Sequence, residues 1–93
     1  MDIKKLTKTR KKIDIIDSKI FNLIKKRTLA INQIIKIKKK KNQIFDKKRN
    51  NQILKKIKKK SKKNKIDPRI TVSLWKTMIS SYVDYQKRNF KKK

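Results

Sequence analysis

Ile13-Asp14-Ile15-Ile16-Asp17-Ser18-Lys19-Ile20-Phe21-Asn22-Leu23-Ile24-Lys25-Lys26-Arg27-Thr28-Leu29-Ala30-Ile31-Asn32-Gln33-Ile34-Ile35 is the stretch whose periodicity settles the architecture. Within it Ile13, Ile16, Ile20, Leu23, Ile24, Ile31, Ile34 and Ile35 recur at the three- and four-residue spacing of one helical face. Arg27 stands four residues after Leu23 and four before Ile31, so it shares that face, and Lys38 extends it. A guanidinium turned toward a core is costly unless an anion meets it. Only five of the 33 basic residues are arginine, so lysine is the default cation of this chain. Where arginine replaces it, the planar fork and permanent charge suggest a defined anionic partner. The pattern implies a helical bundle holding a small anion.

Outward from that stretch, neither proline nor glycine interrupts the chain from Ile3 to Lys41, and a first helix is expected over about 3–41. Asn42-Gln43-Ile44-Phe45 reads as a connector, and Asp46 as the N-cap of a second helix over about 46–63. Ile53, Leu54 and Ile57 give that helix a modest apolar face before the lysine-dominated stretch 58–65. Asp67-Pro68 is a cap followed by proline at the first helical position. It opens a third helix over about 68–90, carrying Ile70, Leu74, Trp75, Met78, Ile79, Tyr82 and Phe90. Strand patterning is lacking, so the expected class is all-α: three helices, a very long first one, and a single domain over 1–93.

Length bears on the oligomeric state. A helix of about 38 residues spans about 57 Å, whereas a compact chain of this size has a diameter of about 30 Å. Two shorter helices cannot cover so long an isoleucine stripe. An antiparallel homodimer with two-fold symmetry is the simplest arrangement that does, a bent first helix or an extended helical tail being the alternative.

Composition narrows the chemistry. The 93 residues include no cysteine and no histidine, which rules out thiolate nucleophiles, disulfides and imidazole bases, and removes the usual ligands of a zinc site. No apolar run approaches the roughly 20 residues of a membrane span, and Met1-Asp2-Ile3-Lys4-Lys5 lacks the apolar core of a signal peptide. A cytoplasmic location without membrane association is expected. The formal charge of +27 invites a basic helical nucleic-acid binder as a rival reading. Against it, lysine, isoleucine and asparagine share A/T-rich codons, and neither glycine loops nor aromatic-rich strands of RNA modules occur. Nucleic acid is therefore the disfavoured partner.

The polar residues set among apolar ones form a constellation. Arg27 and Lys38, eleven residues apart, are separated by about 16 Å along the helix and about 20° around it. Arg10 lies 17 residues before Arg27, about 25 Å away and about 100° round. One chain cannot easily bring both arginines to the same small molecule, but in an antiparallel dimer Arg10 of one chain can approach Arg27 of the other. Arg49 stands one turn into the second helix near Asp46, and Gln86 continues the Trp75, Met78, Tyr82 stripe of the third.

In order and spacing these pieces resemble the all-α chorismate mutase family. Arg10-Lys11-Lys12-Ile13-Asp14-Ile15-Ile16-Asp17, then Leu23-Ile24-Lys25-Lys26-Arg27 and Lys38, are similar to the family's opening pattern. Ile44-Phe45-Asp46-Lys47-Lys48-Arg49 resembles the opening of its second helix, and Gln86 its closing glutamine; the likeness runs from about Leu6 to Gln86. The resemblance implies an interlocked dimer with two shared active sites. It implies conversion of chorismate to prephenate, a pericyclic (Claisen) rearrangement on the route to phenylalanine and tyrosine that needs no cofactor. By the same carry-over, Arg27 and Arg10 of the partner subunit clamp the two substrate carboxylates. Lys38 reaches a carboxylate and the ether oxygen, and Gln86 donates to that oxygen. Arg49 adds positive field, and the Asp46 backbone N–H meets the substrate hydroxyl.

Two positions depart from the family pattern. Asn50 stands where a glutamate usually accepts from the substrate hydroxyl, and Tyr82 where a small residue is usual. Ending at Lys93, the chain is expected to be free-standing, without a fused enzyme domain. An isochorismate pyruvate-lyase of the same fold is the nearest rival, and activity dependent on a partner enzyme is a further alternative.

Overall fold

The structure, a computed structural model, describes residues 2–91. Three helices follow one another: α1 (Ile3–Ile37), α2 (Lys47–Lys63) and α3 (Pro68–Asn89), with a short 3-10 turn at Lys41–Gln43 between the first two. No strand occurs among the described residues. None of the helices there is long and apolar enough to cross a membrane.

Helix starts are set by aspartates. The Asp2 carboxylate accepts from the Lys5 backbone N–H at 3.1 Å at the head of α1. That of Asp46 accepts from Arg49 N–H at 3.0 Å at the head of α2. Asp67 accepts from Arg69 N–H at 2.9 Å before α3, with Pro68 in the first turn. Each satisfies a donor that the helix itself leaves without a partner.

The end of α1 is a correction to the sequence reading, which carried it to about Lys41. The last helical bond of its ladder is Lys38 N–H to the Ile34 carbonyl, 3.1 Å. Beyond it the Lys39 and Lys40 N–H groups turn to one acceptor, Gln43 Oε1, at 2.9 and 3.0 Å. Continuing the helix would also stack Lys36 and Lys38 against the lysines one turn on, a repulsive arrangement.

The chain divides into two compact units, with the boundary between Gln33 and Ile34. The first contains most of α1, and its apolar stripe faces solvent: Ile13 is 50% and Leu23 62% exposed, with Ile16 and Ile20 in the same state. The sequence reading treats this stripe as an inward face; a single helix offers nothing to bury it against.

In the second unit α2 packs on α3. The residues withdrawn from solvent are Ile53, Leu54 and Ile57 on α2 and Val72, Trp75, Met78, Ile79, Tyr82 and Val83 on α3. Across that interface the Ser61 and Thr71 hydroxyls lie 2.6 Å apart, and Ser61 also donates to the Ile57 carbonyl at 2.7 Å. Ser61 can thus be buried without an unsatisfied hydroxyl.

The reversal between α2 and α3 is a Schellman closure. Ile66 N–H bonds the Ser61 carbonyl at 2.9 Å, and Lys65 N–H that of Lys62 at 3.2 Å. Lys65 occupies the left-handed position, φ 57°, which glycine normally fills; the sequence contains no glycine. A Cβ in that conformation costs on the order of 1 kcal/mol.

Candidate active site

Inside the second unit, residues far apart in sequence meet at the Lys38 ammonium. Lys38 leaves the last turn of α1 half-buried, and its Nζ donates to Gln86 Oε1 at 3.3 Å and to the Ile44 carbonyl at 3.4 Å. Gln86, near the end of α3, is 6% exposed, and Ile44, in the connector, is 3% exposed. These are a buried amide and a buried backbone oxygen, and both need a donor.

Burial lowers the pKa of Lys38 from the ordinary lysine value, because an ammonium loses hydration there; the negative charge of Asp46 acts in the opposite direction. The Asp46 carboxylate also serves as the α2 cap, and its carbonyl takes the Asn50 N–H at 2.9 Å. One residue therefore tunes the lysine and starts the helix that carries Arg49 and Asn50.

Of the site residues named from the sequence, Lys38, Asp46, Arg49, Asn50, Tyr82 and Gln86 belong to the second unit, while Arg10 and Arg27 belong to the first. Lys38, Asp46 and Gln86 are linked by bonds or charge as described. Arg49 is exposed and Asn50 half-buried on the first turn of α2. Tyr82, one turn before Gln86, sets its ring edge-on to Tyr85, with centroids 6.3 Å apart and planes at 87°. Arg10 is exposed and Arg27 half-buried on α1.

Two contributors escaped the sequence reading. Ile44 acts through its backbone carbonyl, which side-chain pattern cannot reveal. Gln43 acts by capturing two N–H groups; a long acceptor side chain just past a lysine run was the available signal, and it read as connector.

Chemically, Lys38 and Gln86 place two kinds of donor together. With Gln86 Oε1 taken by the ammonium, the amide presents its N–H groups to a third partner. An ammonium beside an amide N–H suits negative charge developing on an oxygen. Among the described residues no group of three or more His, Cys, Asp or Glu side chains gathers to hold a metal ion.

The chain was compared with known proteins. No curated protein and no solved structure matches it. A family model, chorismate mutase type II, matches residues 9–87, a span that takes in every site residue named above. A family of all-α isomerases agrees with three helices and with a donor pair suited to an oxyanion, and the chain belongs to the type II chorismate mutases.

Proposed function

We propose that this protein rearranges chorismate to prephenate in the cytoplasm, on the route to phenylalanine and tyrosine, as an antiparallel homodimer with two shared sites. The observation that carries the reading is the Lys38–Gln86 pair, 3.3 Å apart across 48 residues of sequence. In the rearrangement the ether C–O bond breaks as a C–C bond forms in the same molecule. No proton is transferred and no covalent enzyme intermediate forms, so the protein's work is to hold the reactive conformer and to stabilise charge on the departing oxygen.

Lys38 and Gln86 are the catalytic residues in this proposal, both donating to the ether oxygen, with Lys38 also reaching a carboxylate. Arg27 and Arg10 of the partner subunit take the two carboxylates, each by a bidentate fork. The Asp46 backbone N–H and the Asn50 amide oxygen meet the substrate hydroxyl, Arg49 supplies positive field, and Tyr82 borders the pocket. The exposed stripe of α1 supports the dimer, because a second chain is the simplest cover for it. The +27 charge of each copy opposes that association at low salt.

The test is a prephenate assay on the purified protein at moderate salt, with isochorismate assayed in parallel and the mass in solution measured alongside. Prephenate formed by a species of twice the chain mass supports the proposal. Pyruvate released from isochorismate without prephenate formation overturns it in favour of the lyase, and a persistent monomer with full activity overturns the shared site.

A further inference from the structure

The chemistry of the site depends on where the Lys38 ammonium sits, and that position depends on a side chain outside the site. We infer that Gln43 is a positioning residue: by accepting both the Lys39 and Lys40 N–H groups on Oε1 it ends α1 and presents Lys38 to Ile44 and Gln86. The inference rests on the mutase reading for its kinetic consequences, though the clamp itself stands on the geometry alone.

Three features combine. Lys39 and Lys40 are the first two residues whose N–H groups leave the α1 ladder, and both point at the same oxygen, at 2.9 and 3.0 Å. Gln43 is itself held by its backbone, whose N–H bonds the Lys40 carbonyl at 3.1 Å, so side chain and main chain close the same few residues into a ring. The next residue, Ile44, is the one buried hydrophobic residue among those described, and its N–H bonds the Lys41 carbonyl at 3.2 Å. The clamp therefore passes directly into the anchor whose carbonyl receives Lys38 at 3.4 Å.

Without the clamp, Lys39 and Lys40 can recover helical bonds to carbonyls one turn back, and the connector then leaves α1 at a different point. The Ile44 carbonyl moves with it. Lys38 loses one of its two acceptors, and its hold on Gln86 loosens. Misplacement of a group acting on the transition state costs rate more than affinity.

Gln43 uses only its oxygen in these bonds, so a carboxylate of the same length can replace it and alanine cannot. The experiment compares Gln43→Ala and Gln43→Glu with wild type, by prephenate kinetics and by NMR of the Lys39 and Lys40 backbone amides and the Gln86 side-chain amide. Gln43→Ala is expected to lower kcat about tenfold with KM changed by less than about threefold. The Lys39 and Lys40 amides should lose protection and the Gln86 amide signal should shift. Gln43→Glu should restore all of these to near wild type, a rescue that a merely stabilising role does not require.

Equal kcat in Gln43→Ala and wild type overturns the inference, as does equal loss in both variants. A wild type that makes no prephenate defeats the mutase reading instead. In that case the amide signals alone decide the clamp: unaltered protection and an unshifted Gln86 signal in Gln43→Ala overturn it.

Discussion

Replacing Lys38 by alanine removes an ammonium that lies 3.3 Å from Gln86 Oε1 and 3.4 Å from the Ile44 carbonyl. Two effects follow, and they are separately measurable. Loss of one donor to a developing oxyanion is worth about 3 kcal/mol, a fall in kcat of about 150-fold. Gln86 is 6% exposed, so its oxygen loses its ammonium donor, at a cost of about 1 kcal/mol. For a domain of this size that lowers Tm by about 4–8 °C at matched protein concentration.

The pH dependence separates charge from packing. The proposed mechanism requires the ammonium, and burial lowers its pKa despite the opposing pull of Asp46. The alkaline limb of kcat/KM should therefore fall below the ordinary lysine value of about 10.4, with activity full on the acid side and lost as pH rises through it. Between the folded and unfolded pKa values the unfolded chain binds more protons, so this lysine's contribution to stability becomes more favourable as pH increases. Lys38→Arg keeps its charge throughout and should abolish the limb, at reduced rate. The assay follows chorismate consumption from neutral pH to about 10, beside thermal melts. Lys38→Ala within about threefold of wild-type kcat, or a limb that persists in Lys38→Arg, refutes the assignment.

Gln86→Glu should be active only toward acid, because only a protonated carboxyl can donate to the ether oxygen; an unchanged pH profile of kcat places Gln86 away from that atom. Arg10→Ala and Arg27→Ala should each be nearly inactive alone, yet mixing and refolding the two should restore about a quarter of wild-type activity, since half the dimers then hold one intact shared site. A mixture no more active than its components excludes exchange of Arg10 between subunits. Lys65→Gly should stabilise the protein by about 0.5–1 kcal/mol by relieving the left-handed backbone, read as a higher melting temperature, whereas a fall argues that the Lys65 side chain makes contacts that outweigh the strain. Nucleic-acid retardation in a gel should be weak at moderate salt; tight binding that survives Arg27→Ala would favour the basic-binder reading.

The all-α class, the long first helix and the starts of α2 and α3 were legible in the residues because their causes are local. An isoleucine stripe repeats within one helix, the Asp46 carboxylate caps a helix beginning at the next residue, and Asp67-Pro68 presets its own first turn. Arg27, Lys38 and Gln86 stood out in the sequence as polar residues set on apolar faces, whereas Arg10 and Arg49 did not. Two features near sequence neighbours were nevertheless missed: α1 stops at Ile37, with the N–H groups of Lys39 and Lys40 bonded to a glutamine six residues past its end, and Lys65 takes the left-handed turn without the glycine that marks such sites.

The meeting of Lys38 with Gln86 and Ile44 was decided by tertiary structure. Periodicity records which way a side chain points from its own helix; it carries no information on which distant group that side chain will meet. The amide 48 residues away and the carbonyl of a connector join Lys38 only when α3 and the chain after α1 pack within one unit. Burial then leaves both oxygens in need of a donor, and a single ammonium satisfies them.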